Sequence, residues 1–385
     1  MSTFHPSFRP TFRLPLNMTS FVESFVSSIA DTAGKVARES RSLPGARKLL
    51  KALANKKRIL VTTHMYPDPD AIASTTAMAY LLRSKLPKDV TVVASLKGSN
   101  GGGLNAAFAN LAEADFAEWD DAKVGEFDAI VLLDVQPGFS TSPLPTGVMP
   151  TAVIDHHRAR GRGQHLPFRD VRTDVGASSS IVFSYLRELA LEISPVLAAT
   201  LLYGIETDLA GAAGHPGELD NVAMSNLTLI ADTRRLYQMR YTELPADFYV
   251  NFSRGIQEAT YAGPVLFTFL GAVDSPSMPA IVADFLLRFA GITWVLVTAT
   301  HEGRLILSLR TNDPKMSAGE MMRKLVCRIG EGGGHRTKAG GMIPLGNGTP
   351  TEIERCRKTL KRRMLKLVGL AQETRFTRLV ALPTV

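Results

Sequence analysis

Arg58-Ile-Leu-Val-Thr-Thr63 runs straight into His64-Met-Tyr-Pro-Asp68-Pro-Asp70, and then into Ala71-Ile-Ala-Ser74. A continuous apolar and β-branched run that stops at a Pro/Asp loop reads as a strand buried on both faces. The loop places one imidazole and two carboxylates just beyond the carboxyl end of that strand. A helix follows over 71–85, with Ala, Ile, Met and Leu along one side. The same grammar recurs downstream. Val90–Ser95 is a second apolar strand, Asp128–Asp134 a third and Ala152–Asp155 a short fourth. Apolar strands spaced by helical segments predict a parallel sheet with helices on both faces.

Further out, helices are expected at about 178–191, 195–205, 220–237 and 244–258, the last flanked by Pro245 and Pro264 and acting as a connector. A second α/β unit follows. Its strands are Val265–Leu270, Thr293–Thr300, Arg304–Arg310 and Met342–Leu345, and its helices 278–290 and 317–328. A glycine-rich loop precedes the final strand, and a basic helix over 351–369 closes the unit. Upstream, Phe21, Val22, Phe25, Val26, Ile29, Ala33 and Val36 stand at helical spacing. The expected boundaries are an N-terminal extension, helical in part, over 1–50; a parallel-sheet domain over 51–242; a helical connector over 243–262; a smaller α/β domain over 263–370; and a tail over 371–385.

The chain has 385 residues, 45% hydrophobic and 21% charged, which excludes a disordered or collagen-like chain. The net charge of +8 hides a partition: residues 1–60 carry +8, 351–385 carry +6, and 61–350 carry −6. An acidic centre between basic ends argues against stable coating of duplex DNA. Two cysteines, Cys327 and Cys356, cannot staple a chain of this size and fit a reducing, cytoplasmic setting. The longest uncharged stretch, Val135–Ile154, holds four prolines, so no membrane span is expected. Glu23 and Asp31 interrupt the early apolar segment, which therefore does not read as a signal peptide.

The acids and histidines fall at the strand ends. The first strand delivers His64, Asp68 and Asp70, the third Asp134, and the fourth Asp155-His156-His157; Asp208 ends a later helix. In an open parallel sheet the carboxyl ends of the strands form the ligand crevice. Several carboxylates crowded into one cleft beside imidazoles repel one another unless cations sit among them. Oxygen ligands with imidazole suit Mn²⁺ or Mg²⁺, with Zn²⁺ and Co²⁺ as alternatives. Two such ions about 3.5–4 Å apart share a carboxylate and a water, and lower that water's pKa toward about 7. Asp68 suits equally the N-cap of the helix that follows it.

In order along the chain, His64-Met-Tyr-Pro-Asp68-Pro-Asp70-Ala-Ile-Ala-Ser74, Asp134, Asp155-His156-His157 and Gly204-Ile-Glu-Thr-Asp208 resemble the four motifs of the DHH phosphoesterase superfamily. Gly332-Gly-Gly-His335-Arg-Thr-Lys-Ala-Gly340 resembles the glycine–histidine motif of its DHHA1 substrate domain. The resemblance implies that His64 and Asp68 bind one metal, that Asp70, His156 and Asp208 bind the other, and that Asp134 bridges both. It implies that His157 faces the scissile phosphate, that Asp155 orients the loop, and that Gly333, Gly334, His335 and Arg310 hold substrate.

The implied activity is Mn²⁺-dependent hydrolysis, with Mg²⁺ or Co²⁺ as alternative metals, through a bridging water. The implied substrates are short RNA or a small nucleotide such as 3′-phosphoadenosine-5′-phosphate; a cyclic-dinucleotide phosphodiesterase is the alternative, and a non-catalytic nucleotide-binding protein a minor one. A homodimer is compatible with the resemblance. Lys338 departs from the motif, standing where a small residue is common, and the loop 158–167 is unusually basic.

Overall fold

The computed structural model describes residues 45–98, 104–139, 141–158, 165–209, 216–244, 246–334 and 336–380. The first half begins with α1 (Ala46–Leu53), β1 (Arg58–Thr62), α2 (Pro69–Lys85), β2 (Thr91–Ala94) and α3 (Leu104–Leu111). It continues with β3 (Ala129–Leu133), β4 (Ala152–Asp155), β5 (Phe168–Val171), α4 (Ser178–Glu188), α5 (Pro195–Leu209), α6 (Glu218–Ile230) and α7 (Thr233–Arg240). The strands form one sheet in the order β2-β1-β3-β4-β5, every pair parallel. Strand order reverses between β1 and β3, the switch point where open sheets of this kind hold ligands.

Side-chain alternation divides the sheet's two faces. Ile59, Val61, Val131, Leu133 and Ile154 enter the main core with Leu49, Leu53, Ile72, Met78, Ile181 and Leu201 from the helices. Leu60, Ile130, Leu132 and Val153 point the other way. There they meet Val124 in a 3₁₀ turn (Asp121–Glu126), Val135, and loop residues such as Trp119 and Leu144. The helical cover is therefore heavier on one face. Each fully buried Leu or Ile contributes about 1.5–3 kcal/mol, so the layered core is ample to pin the strand ends.

The second half comprises α8 (Ala246–Gln257), β6 (Thr260–Ala262), β7 (Val265–Ala272), α9 (Met278–Leu286), β8 (Trp294–His301) and β9 (Arg304–Thr311). It ends with α10 (Ala318–Val326), β10 (Glu331–Gly334), β11 (Lys338–Pro344), α11 (Pro350–Leu367) and β12 (Thr377–Arg378). These strands form a mixed sheet in the order β10-β11-β9-β8-β7-β6-β12, in which only β7 and β8 run parallel among the described pairs. One face packs on α10 and α11 through Phe267, Leu307, Met322 and Met364. The other packs on α8 and α9 through Leu266, Val295, Val297, Val282 and Phe252.

Several elements differ from the sequence-based expectation. Ala46, Leu49 and Leu53 are buried in the first core, so that core starts ahead of residue 51. Residues 220–237 form two helices, because Asp232 caps a new one by accepting the Arg235 N–H at 2.9 Å. α8 packs on the second core, and β12 of the expected tail pairs with β6. β5 is short and charged, Phe-Arg-Asp-Val, and carries no apolar run to reveal it.

The largest difference is the glycine-rich segment, which is not a loop but the strand pair β10–β11, with Gly332 opposite Gly341 and Gly333 opposite Gly340. Glycine weakens strands, but here close packing demands it. A Cβ on Gly332 would lie 2.7 Å from Met322 Cγ, and one on Gly319 only 2.2 Å from the Gly334 carbonyl oxygen. The helix expected over 21–38 lies outside the described residues.

Candidate metal centre

The loop after β1, the ends of β3 and β4, and the last turn of α5 converge at the switch point. Three overlapping sets of donor atoms result: His64, Asp68 and Asp134; Asp70, His156 and Asp208; and Asp134, His156 and His157, each set lying within 4.8 Å. Asp134 turns its two oxygens to different partners. Its Oδ2 lies 3.5 Å from His64 Nε2, and its Oδ1 lies 3.2 Å from His156 Nε2. His156 Nε2 is also 3.2 Å from Asp208 Oδ2, and His64 Nε2 is 3.9 Å from Asp68 Oδ1.

Local structure sets each of these side chains. Asp134 adopts a left-handed backbone (φ 56°), a conformation that costs a non-glycine residue roughly 1–2 kcal/mol. Its N–H donates to the Ile154 carbonyl at 2.9 Å and its Oδ1 accepts from Ser178 Oγ at 2.9 Å, which hold the turn in place. Asp68 caps α2 by accepting the Ala71 N–H at 3.0 Å, so capping and facing His64 are combined in one carboxylate. Asp70 is fully buried and accepts the N–H groups of Ser178 and Ser179 at 2.7 and 2.8 Å, at the start of α4. Asp208 sits within the last turn of α5, which runs further than the sequence suggested.

Asp155 does not join the donor sets. Its Oδ1 accepts from the backbone N–H groups of His156 and His157 and lies 2.7 Å from His157 Nδ1. Its Oδ2 accepts from Gln136 Nε2 at 2.6 Å, and Gln136 also donates to the His157 carbonyl at 2.9 Å. Gln136 and Ser178 thus brace the centre. Gln136 went unnoticed in the sequence, although an amide two residues past Asp134 in an apolar stretch is the signal that could have found it.

The electrostatics describe a site short of positive charge. Burial and the neighbouring Asp134 and Asp208 carboxylates push Asp70 well above the ordinary carboxylate pKa. Burial raises Asp208 too, and His156 and Lys338 only partly offset it. Burial opposes ionisation of Asp134, but His156 and His64 hold it well below the ordinary range. Burial likewise opposes protonation of His64 and His156, yet Asp134 and its neighbours hold both imidazoles well above their usual pKa.

The residues fit divalent cations on their own chemistry. Two ligands about 2.1 Å from one ion stand about 3–3.4 Å apart, close to the separations around Asp134. His64 Nδ1 lies 2.9 Å from the Met65 carbonyl oxygen, so in the neutral form that binds a metal the proton sits on Nδ1 and the Nε2 lone pair faces Asp134 and Asp68. Carboxylate oxygen with imidazole nitrogen suits hard and borderline ions.

In the second domain, Gly333 and Gly334 lie on β10, with Gly334 exposed; His335 lies outside the described residues. Arg310 is placed otherwise than as a ready phosphate ligand. It is 9% exposed, its Nε lies 2.5 Å from Asp284 Oδ1, and its other nitrogens reach Asp284 Oδ2, Ser308 Oγ and the Leu309 carbonyl. A buried guanidinium needs such partners, and Asp284 of α9 supplies the charge.

The chain matches the DHH family, N-terminal domain, over residues 58–205 and the DHHA1 domain over 262–366. It belongs to the DHH/DHHA1 phosphoesterase superfamily. An uncharacterized protein of Methanocaldococcus jannaschii is 29% identical over 85% of this chain and 67% of its own length. A probable manganese-dependent inorganic pyrophosphatase of Streptococcus pyogenes is 28% identical over 39% of this chain; the match spans 48% of that protein. An exopolyphosphatase-related protein from Bacteroides fragilis shares the fold, with a TM-score of 0.61 at 17% identity, covering 84% of this chain and 96% of that one. Among the described residues no helix is long and apolar enough to cross a membrane.

Proposed function

We propose that the chain is a two-cation phosphoesterase that hydrolyses short nucleotide substrates, releasing 5′-mononucleotides from oligoribonucleotides or dephosphorylating 3′-phosphoadenosine-5′-phosphate. The observation that carries this reading is the division of Asp134, one oxygen toward His64 and the other toward His156. A single carboxylate facing two donor sets is what a shared ligand requires. His64 and Asp68 would hold one Mn²⁺, Asp70, His156 and Asp208 the other, and Asp134 both.

Cations held there supply Lewis acidity at a phosphoryl oxygen and a nucleophile from water near neutral pH. The protein's own part is positioning. Asp155 keeps His157 Nδ1 engaged and raises its proton affinity above the ordinary imidazole value, against the opposing effect of burial. A protonated His157 then carries a proton on Nε2 for the leaving oxygen. Gly333 and Gly334, with His335 next to them in sequence, would take a substrate phosphate from the second domain, since glycine lets an anion approach backbone N–H groups closely. The manganese-dependent relative supports the metal. The preference for nucleotide over pyrophosphate rests on the DHHA1 domain.

The test is a side-by-side panel with Mn²⁺: 3′-phosphoadenosine-5′-phosphate, pApA, RNA of two to seven nucleotides, short DNA, cyclic di-AMP and pyrophosphate. Turnover of short RNA or of the bisphosphate is the expected result. Turnover of pyrophosphate alone would overturn the nucleotide assignment, and turnover of cyclic di-AMP alone would move it to the cyclic-dinucleotide class.

A further inference from the structure

One side chain of the second domain reaches into the metal centre of the first. Lys338 sits on β11, paired in register with Arg310 on β9. Like charges opposed across a ladder are unfavourable, and these two diverge: Arg310 turns to Asp284, while Lys338 turns to the end of α5. Lys338 Nζ lies 3.0 Å from the carbonyl oxygens of both Thr207 and Asp208, and 3.7 Å from Asp208 Oδ1. Those carbonyls belong to the last turn of α5, where a helix leaves its carbonyls in want of outside donors, and Lys338 supplies one. An ammonium at that end also meets the negative pole of the helix. The short contacts are to backbone, so the Asp208 carboxylate stays directed at His156, 3.2 Å away.

We propose that Lys338 is a positioning residue that fixes the final turn of α5 from the second domain, so that cation affinity at the Asp70–His156–Asp208 set depends on that domain. This rests on the reading of the cluster as a metal centre. Without the amine, two helix-terminal carbonyls lose the hydrogen bonds from Lys338 and Asp208 loses that anchor at the point where it must face a cation. A simple charge argument gives the opposite sign: removing a positive group near a cation site would tighten it. The two accounts are therefore separable by the direction of the change.

The test is Mn²⁺ titration of the full chain by calorimetry and by electron paramagnetic resonance, for wild type, Lys338→Met and Lys338→Arg, with KM and kcat for a dinucleotide alongside. Lys338→Met should weaken one class of Mn²⁺ site by about 10–100-fold, the range typical of residues that orient ligands. The other class should keep its affinity, kcat should recover at saturating Mn²⁺, and KM should be unchanged. Lys338→Arg, which keeps a cationic donor, should restore most of the affinity. Unchanged or tighter Mn²⁺ binding in Lys338→Met overturns the proposal. So does a raised KM with intact Mn²⁺ affinity, which marks a direct substrate contact. Should Lys338→Met fail to fold by circular dichroism, Lys338→Gln is titrated in its place with the same outcomes. Absence of Mn²⁺ binding by wild type would instead overturn the metal reading itself.

Discussion

Asp155 Oδ1 stands 2.7 Å from His157 Nδ1, while the same carboxylate is held from behind by Gln136. This buried acid orients an imidazole without facing a cation. Asp155→Asn should lower kcat by about 10–100-fold with Mn²⁺ content intact. Asp155 raises the proton affinity of His157 against the opposing effect of burial. Its loss should therefore move the alkaline limb of the kcat profile to lower pH. Gln136→Leu should act in the same direction more weakly. An unmoved limb in Asp155→Asn would remove His157 as the proton carrier.

Removing the cations should invert the chain's response to pH. Burial opposes protonation of His64 and His156, but Asp134, Asp68 and Asp208 hold both well above their ordinary pKa. A folded pKa above the unfolded value gives stability that is complete below about 6.5 and lost as pH rises through the folded pKa. Asp134 and Asp68 are held low, so their contribution is already complete in this window. With chelator, the urea midpoint should fall between about pH 6 and about pH 8. Mn²⁺ should recover it, because binding takes the neutral imidazole and releases the proton. A chelated midpoint that rises over that interval contradicts the assignment.

Gly319 lies where α10 touches the glycine-rich strand. A Cβ there would stand 2.2 Å from Gly334 O and 2.7 Å from Gly334 C. Helix propensity favours Ala over Gly by about 1 kcal/mol, whereas overpacking costs about 1–3 kcal/mol. The obstacle is backbone and cannot swing aside, so the steric cost should win. Gly319→Ala should lower the unfolding midpoint and raise KM, leaving Mn²⁺ stoichiometry unchanged. A stabilised variant would show that the strand yields freely.

The first domain was the legible part. Apolar runs at 58–63 and 128–134 and the acids that end them announce strands and site together, because a buried parallel strand needs unbroken apolar residues and its carboxyl end is where ligands gather. The second domain was less so. Its glycine-rich strands carry no strand signal, since the close approach of Met322 and the α10 backbone calls for glycine against its own propensity. β12 is two residues long and exists only by pairing with β6. Arg310 shows the same limit: the sequence offers a phosphate-binding guanidinium, and only the tertiary structure supplies Asp284. The partners of Lys338 lie 131 and 130 residues away in sequence, so nothing local announces them.

The proposed function stands on Asp134 joining two cation sites. Mn²⁺ content per chain, by elemental analysis with electron paramagnetic resonance, tests it most directly in wild type and Asp134→Ala. Two ions are expected in wild type, magnetically coupled through their shared ligand, with loss of both the coupling and at least one ion in Asp134→Ala. A wild type that binds a single ion, or an Asp134→Ala protein whose metal content and spectrum are unchanged, would contradict it.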